Sequence, residues 1–324
     1  MKITAFEVRP DEKPYFEELR QKGIEITERP DRLTLDVISE LEPDSAVSIL
    51  GQSLCDEAIF QALARQTIFY LSTRTIGYNH LDLTAAKKYG VHTANVSYAP
   101  DGVADYTIMM ILLCLRGYKQ ALWRMQVNDF SLDGLMGREL RDLTVGVIGT
   151  GRIGSQVIRD LSGFGSHILA YDPHPKAGIA AEFVPLERLY AESDIITLHT
   201  ALTPENYHMI NSDTIALMKD GVVLINCARG GLMDMKALIE GIESCKIGAL
   251  GLDTVEDEEG IVHKDRKTDI FADRDLAYLK QFKNVVYTQH MAFFTEQAVR
   301  SMVSCGVMSL LNMAAHTQIP QQLS

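Results

Sequence analysis

The sequence is short of positive charge. Its 31 Lys and Arg residues stand against 43 Asp and Glu, a formal net charge of −12. A nucleic-acid partner, which needs clustered Lys and Arg to displace counterions from phosphates, is therefore not expected. Cysteine is sparse: Cys55, Cys114, Cys227, Cys245 and Cys305 are odd in number, scattered and without metal-ligand spacing. Neither a disulfide nor a bound metal is expected, and reduced thiols suit a cytoplasmic protein. Long apolar runs are also missing. The most apolar stretch, 106–115, is about half the roughly 20 residues a membrane helix needs and is bracketed by Asp105 and Arg116, so it reads as a buried helix. Near the N-terminus Glu7 and Arg9 interrupt the chain before any long apolar segment, which speaks against a signal peptide or anchor.

What is present is enough chain for two cores. The 324 residues exceed the roughly 250 to 300 at which a single core stops growing. A content of 46% hydrophobic and 23% charged residues is that of a folded globular protein. Short β-branched runs alternate with amphipathic stretches, the pattern of parallel α/β sheets with crossover helices. Strands are expected at 3–8, 47–50, 69–72 and 92–95, enough for one small α/β unit. A second series at 144–149, 168–172, 195–199, 222–226, 249–253 and 285–288 makes a complete doubly wound domain. Ala99-Pro100-Asp101-Gly102 marks a hinge between them, with Asp101 placed to cap the helix that follows. From Thr295 onward the chain reads as one helix with apolar Ala298, Met302, Val303, Cys305 and Val307. A lone terminal helix must bury its apolar face on an existing layer, which gives a discontinuous domain of 1–99 plus 295–324 around an inserted domain of 100–294.

The strand at 144–149 runs into Gly149-Thr150-Gly151-Arg152-Ile153-Gly154, a GxGxxG arrangement. The first glycine permits the tight turn, the second lets backbone approach a pyrophosphate, and the third lets the helix pack against the strand. The amides of Arg152 and Ile153 then open a helix whose N-terminus favours an anion. GxGxxG alone is weak, but here a strand precedes it and Ile153, Val157, Ile158, Leu161 and Phe164 lay down an apolar helix face after it. The next strand ends at Asp172, where a carboxylate can accept from both ribose hydroxyls and repel a 2'-phosphate, favouring NAD over NADP. The plainer role is a turn aspartate before Pro173, and His174 and Lys176 close by would soften the preference. Thr200 and Cys227, at two further strand ends, are candidates for the cofactor side.

The carboxyl edge of such a sheet borders the cofactor crevice, so charged residues at the strand ends are catalytic candidates. Cys227-Ala228-Arg229-Gly230-Gly231 offers a guanidinium flanked by small residues, suited to a carboxylate held by two parallel hydrogen bonds. A surface arginine paired with an acid is the plainer alternative. Asp253-Thr254-Val255-Glu256-Asp257-Glu258-Glu259 is an acidic run in which spacing cannot choose among carboxylates, and a solvated loop is the plainer alternative. Gln289-His290-Met291-Ala292-Phe293-Phe294 sets one of nine histidines beside two aromatics; a lone strand-end histidine is more often structural.

With these segments in view the chain resembles the D-2-hydroxyacid dehydrogenases along essentially its whole length. The likeness is strongest to the D-lactate dehydrogenase and vancomycin-resistance dehydrogenase branch. It rests on Ser72-Thr73-Arg74-Thr75-Ile76-Gly77-Tyr78-Asn79-His80, Asn95-Val96-Ser97-Tyr98-Ala99-Pro100, the glycine fingerprint, Asn226-Cys227-Ala228-Arg229-Gly230, Leu252-Asp253-Thr254-Val255-Glu256-Asp257-Glu258 and His290-Met291-Ala292-Phe293-Phe294. The resemblance implies two Rossmann-like doubly wound domains, a flavodoxin-like substrate domain and an NAD-binding domain, with a cleft between them. It implies that Arg229 binds substrate, that Glu258 partners the acid-base His290, and that Asp253 lies near the nicotinamide. Ile76 and Gly77 match the loop that receives the substrate carboxylate, and Tyr98 a substrate-side tyrosine. Leu50 falls where some lactate-specialised relatives carry a tyrosine, so Leu50 and Phe293 are expected to line a pocket roomier than one for a methyl group. Gln289 departs from the family, which commonly has proline before the histidine.

The implied reaction is reduction of a 2-oxo acid to an (R)-2-hydroxy acid with NADH. Glu258 would favour the charged form of His290 and orient its ring, and Arg229 would also stabilise charge on the carbonyl oxygen. A homodimer is expected by the same resemblance, with the apolar helix at 108–115 as an interface or, more plainly, as internal core. The competing reading is a corepressor-like protein that senses NAD without turnover.

Overall fold

The computed structural model describes all 324 residues except Glu259 and Phe271. Contacts divide them into two units, Met1–Ala99 with Phe294–Ser324, and Pro100–Phe293.

In the first unit β1 (Ile3–Ala5), β2 (Ile26–Glu28), β3 (Ala46–Ile49), β4 (Tyr70–Thr73) and β5 (His92–Ala94) form a parallel sheet in the order β2-β1-β3-β4-β5, the flavodoxin-like order. Both faces are covered, so β1 and β3 are buried at every position and read as continuous small or apolar runs rather than alternating ones. The sequence pattern predicts four of these strands and misses β2, in which only Ile26 is buried.

The helix Glu296–Ala314 belongs to this unit. Thr295 caps it by accepting from the Ala298 amide at 3.2 Å. Its Val303, Val307, Leu310 and Met313 share a core cluster with Ile3, Ala5, Phe16 and Ala46. Beyond it, Gln322 bridges Ala94 and the Leu323 amide bonds to the Thr93 carbonyl, which covers the outer edge of β5. One cation lies inside this unit: Arg74, just after β4, is fully buried with Glu12.

In the second unit β6 (Thr144–Ile148), β7 (His167–Tyr171), β8 (Glu182–Phe183), β9 (Ile195–Leu198), β10 (Val222–Asn226), β11 (Ile247–Leu252) and β12 (Val285–Tyr287) form a parallel sheet. Its order is β12-β11-β10-β9-β6-β7-β8. The strand order reverses between β6 and β9, and the crevice at such a switch point is where doubly wound sheets bind ligands. β8 is a two-residue edge strand absent from the sequence pattern, and other ends differ from expectation by one or two residues, the usual fraying.

The helix Asp101–Leu115 overturns one expectation and agrees with one of two alternatives. Its cap position is Pro100, and Asp101 is its first residue with no side-chain capping bond. Its Ala104, Ile108, Met110, Ile111 and Leu115 are buried in a cluster with Val145, Val147 and Ile225, so this face is internal core. No helix among the described residues is long and apolar enough to cross a membrane.

Candidate active site

β6 ends at Ile148 and the chain turns at Gly149, whose φ of +89° disfavours any side chain. A Cβ at Gly154 would lie 1.9 Å from the Gly149 carbonyl oxygen, so the helix Arg152–Ser162 starts in direct contact with the turn. At Gly151 a Cβ would meet nothing within 4 Å, which leaves open space above the helix N-terminus. β7 delivers Asp172 to the same loop. Its Oδ2 accepts from the Thr150 amide at 2.7 Å and hydroxyl at 3.0 Å, and its Oδ1 from the His174 amide at 2.8 Å. Burial alone would push this carboxyl up, but the Thr150 and His174 amides together with the Thr150 hydroxyl outweigh it and hold it below the usual carboxylate range. Below the turn, burial pushes the His199 imidazole down to about 3, so this ring is neutral. Thr200 follows it at the end of β9 and is half-buried.

Three further strand ends converge. After β10, Asn226 is fully buried; its side chain donates to the Arg229 carbonyl at 2.8 Å and accepts from the Ala228 amide at 2.9 Å, fixing the turn that carries Arg229. Arg229 is half-buried and donates from Nη1 to the Ala228 carbonyl at 2.7 Å. Burial pushes the Cys227 thiol up, so it is protonated. Gly230 passes so close to the β11 loop that a Cβ would sit 1.9 Å from the Val255 carbonyl carbon.

The acidic run after β11 divides into separate jobs. Asp253 is fully buried; its Oδ1 accepts from the Thr288 hydroxyl at 2.6 Å and the Met291 amide at 2.9 Å, and its Oδ2 from the Ala292 amide at 2.8 Å. It therefore anchors the loop after β12, a contact the sequence did not suggest. Glu256 accepts from the Tyr207 hydroxyl at 2.5 Å and pairs with His208 Nε2 at 2.8 Å, tying the β9 loop to the β11 loop. Glu258 accepts from the Val255 amide through Oε2 at 3.1 Å and pairs through Oε1 with His290 Nδ1 at 2.5 Å. Glu259 lies outside the described residues. The Phe293 ring stands edge-on to the His290 ring, 6.3 Å between centroids. Tyr207, His208 and Glu256 were not singled out by the sequence, although the same strand-edge argument applied to the loop after β9.

Leu50, Ile76, Gly77 and Tyr98 belong to the first unit and the other candidates to the second. Leu50 is buried. The Ile76 carbonyl accepts from Asn95 Nδ2 at 2.8 Å and the Gly77 carbonyl from the Thr75 hydroxyl at 2.6 Å. Both carbonyls are thus engaged, and neither amide of this pair has an acceptor among the described residues.

The family model for the NAD binding domain of D-isomer specific 2-hydroxyacid dehydrogenases matches residues 108–292. The chain belongs to this family. It is similar to an aromatic 2-oxoacid reductase of Clostridium sporogenes, 44% identical over 315 residues, 96% of this chain and 95% of the relative. A D-specific alpha-keto acid dehydrogenase of Enterococcus faecalis is 38% identical over 313 residues, 96% of each chain. Among solved structures, D-2-hydroxyisocaproate dehydrogenase superposes with a TM-score of 0.91 at 31% identity, covering 100% of this chain and 99% of that one. This D-2-hydroxyacid dehydrogenase is an NAD-dependent enzyme, and the alternative of a sensor without turnover is set aside.

The fingerprint fits the cofactor. Open space at Gly151 admits a pyrophosphate against backbone amides, and the fixed, ionised Asp172 suits ribose hydroxyls. Asp172→Ala is expected to weaken NADH more than NADPH, because it removes a ribose acceptor and relieves repulsion of a 2'-phosphate. The ratio of the two dissociation constants is the readout. An unchanged ratio would leave Asp172 as a structural clasp for Thr150 and His174.

Proposed function

We propose that this dehydrogenase reduces 2-oxo acids with side chains larger than methyl to (R)-2-hydroxy acids, with Arg229, Glu258 and His290 as its working groups. The observation that carries the reading is the 2.5 Å contact between Glu258 Oε1 and His290 Nδ1, made by loops that leave two different strands. With Nδ1–H donated to the carboxylate, the other ring nitrogen is the one left to give a proton to the substrate carbonyl oxygen. Glu258 orients the ring and favours its charged form, while Asp253 holds the loop that carries it. Arg229 grips the substrate carboxylate with its planar fork and offsets charge developing on the carbonyl oxygen. Bound NADH supplies the hydride that the carbonyl carbon receives. Gly149, Gly151, Arg152, Ile153, Gly154 and Asp172 are proposed to hold that cofactor, with Thr200, Cys227 and Asp253 bordering it.

Leu50 and Tyr98 are proposed as the wall around the substrate side chain. An aliphatic residue at position 50 leaves room and offers no hydroxyl, and the similar chain from Clostridium is named for aromatic 2-oxo acids. The kcat/KM values for phenylpyruvate, 2-oxo-isocaproate, oxaloacetate and pyruvate with NADH test this. The first two should lead. One buried methylene discriminates by only about 1 to 3 kcal/mol, so a preference for pyruvate above about 100-fold would contradict a roomy apolar pocket. Leu50→Tyr should shift the ratio toward pyruvate, and an unmoved ratio would take Leu50 out of the wall.

We also propose a homodimer. The interface is assigned downstream of the buried helix: Leu122, Trp123, Val127, Phe130, Leu132 and Met136 are exposed within 118–136, with Met136 at 98%, and large apolar residues exposed so close together in the chain suit a subunit interface. Sedimentation should give about twice the 36.1 kDa chain mass. A monomer at micromolar concentration would remove the assignment.

A further inference from the structure

We propose that His263 is a positioning residue for the acid-base histidine, holding the backbone of His290 through a side-chain hydrogen bond to its carbonyl. The inference rests on the reading of His290 given above.

His290 sits at φ +56°, in the left-handed region that residues with a side chain adopt infrequently. The holding groups can be traced one by one. Glu258 takes the ring at Nδ1, and Asp253 takes the two amides that follow, those of Met291 and Ala292. The His290 carbonyl is held as well. His263 Nε2 lies 3.0 Å from that oxygen, and because a carbonyl only accepts, Nε2 carries the proton. This bond fixes the peptide plane after His290, and with it the direction from which the side chain departs.

The His263 ring also has apolar company. It lies 6.2 Å from the His290 ring and 6.1 Å from Phe293, edge-on to the latter. His263 could therefore act by its donor or merely by its bulk. The donor reading follows from the 3.0 Å bond to the carbonyl, a directional contact that packing of an exposed ring does not supply. The substitution pair His263→Phe and His263→Gln separates the two roles: Phe keeps a ring and loses the donor, whereas Gln loses the ring and keeps an N–H at a comparable reach.

Steady-state kinetics with phenylpyruvate and an NADH titration on the intact enzyme, with His290→Ala in the same series, form the test. His263→Phe is expected to lower kcat by about ten- to a hundredfold, the scale of a reacting group displaced by a fraction of an ångström to one ångström. The KM for phenylpyruvate and the NADH dissociation constant should stay near wild type. His263→Gln should recover most of the loss. A Phe variant as fast as wild type, a Gln variant as slow as Phe, or loss of NADH binding in the Phe variant would each overturn the proposal. Should His290→Ala itself keep full turnover, the failure lies in the acid-base reading; an inactive His290→Ala beside an unaffected Phe variant removes His263 alone.

Discussion

His290→Ala should lower kcat for 2-oxo acid reduction by about 10²- to 10⁴-fold, the contribution of a positioned general acid, while NADH affinity stays near wild type. The separation of effects follows from the contacts. The imidazole bonds to Glu258 on the β11 loop, whereas the fingerprint between β6 and the following helix is held by its own glycines and by Asp172. Deleting the ring leaves Glu258, whose side chain is 16% exposed, without that partner. Its Val255 amide bond remains and water can reach it, so the loss should be catalytic rather than global. Kinetics and a dinucleotide titration on the same preparation check both halves. A variant with wild-type turnover would take His290 out of the reaction.

A second large effect is expected in the core of the first unit. Arg74→Ala should destabilise the first unit by about 3 to 5 kcal/mol, the cost of stranding one member of a buried ion pair. The guanidinium donates from Nε to Glu12 Oε1 at 2.8 Å, from Nη1 to Ser48 Oγ at 3.1 Å and from Nη2 to the Phe6 carbonyl at 2.8 Å. It also lies 5.4 Å from the centre of the Phe16 ring. Both charged side chains are fully buried, so Ala leaves the Glu12 carboxylate away from bulk solvent without its counter-charge. Arg74→Met combined with Glu12→Leu should recover much of the loss, since an apolar pair of similar volume avoids burying an unpaired charge. Denaturant unfolding of the whole chain measures this. A loss below about 1 kcal/mol for Arg74→Ala would show that Glu12 finds another partner.

The fold class could be read from the sequence because its two signals are local. Strands buried on both faces appear as apolar runs, and the glycine fingerprint names the turn between β6 and its helix. What escaped was short or non-local. β2 and β8 are edge strands of three and two residues with at most one buried position each, so neither shows as an apolar run. The helix at 101–115 is apolar nearly all round, so its pattern could not say whether one face met solvent or core. The acidic run shows the limit most plainly. Asp253, Glu256 and Glu258 are near neighbours in sequence, and only the folded loops send the first to the His290 loop, the second to Tyr207 and His208, and the third to the His290 ring. His263 was silent for the same reason, since its partner is a backbone carbonyl 27 residues away.

The central claim is that Glu258 and His290 act as one unit, and a double-mutant cycle on kcat tests it most directly. Residues that act together are strongly non-additive. With Glu258→Gln, His290→Gln and the double variant measured on phenylpyruvate under conditions where chemistry limits turnover, the double variant should be about as slow as His290→Gln alone. If the two losses instead multiply in full, Glu258 contributes independently of the histidine and the pair is not the acid-base device described here.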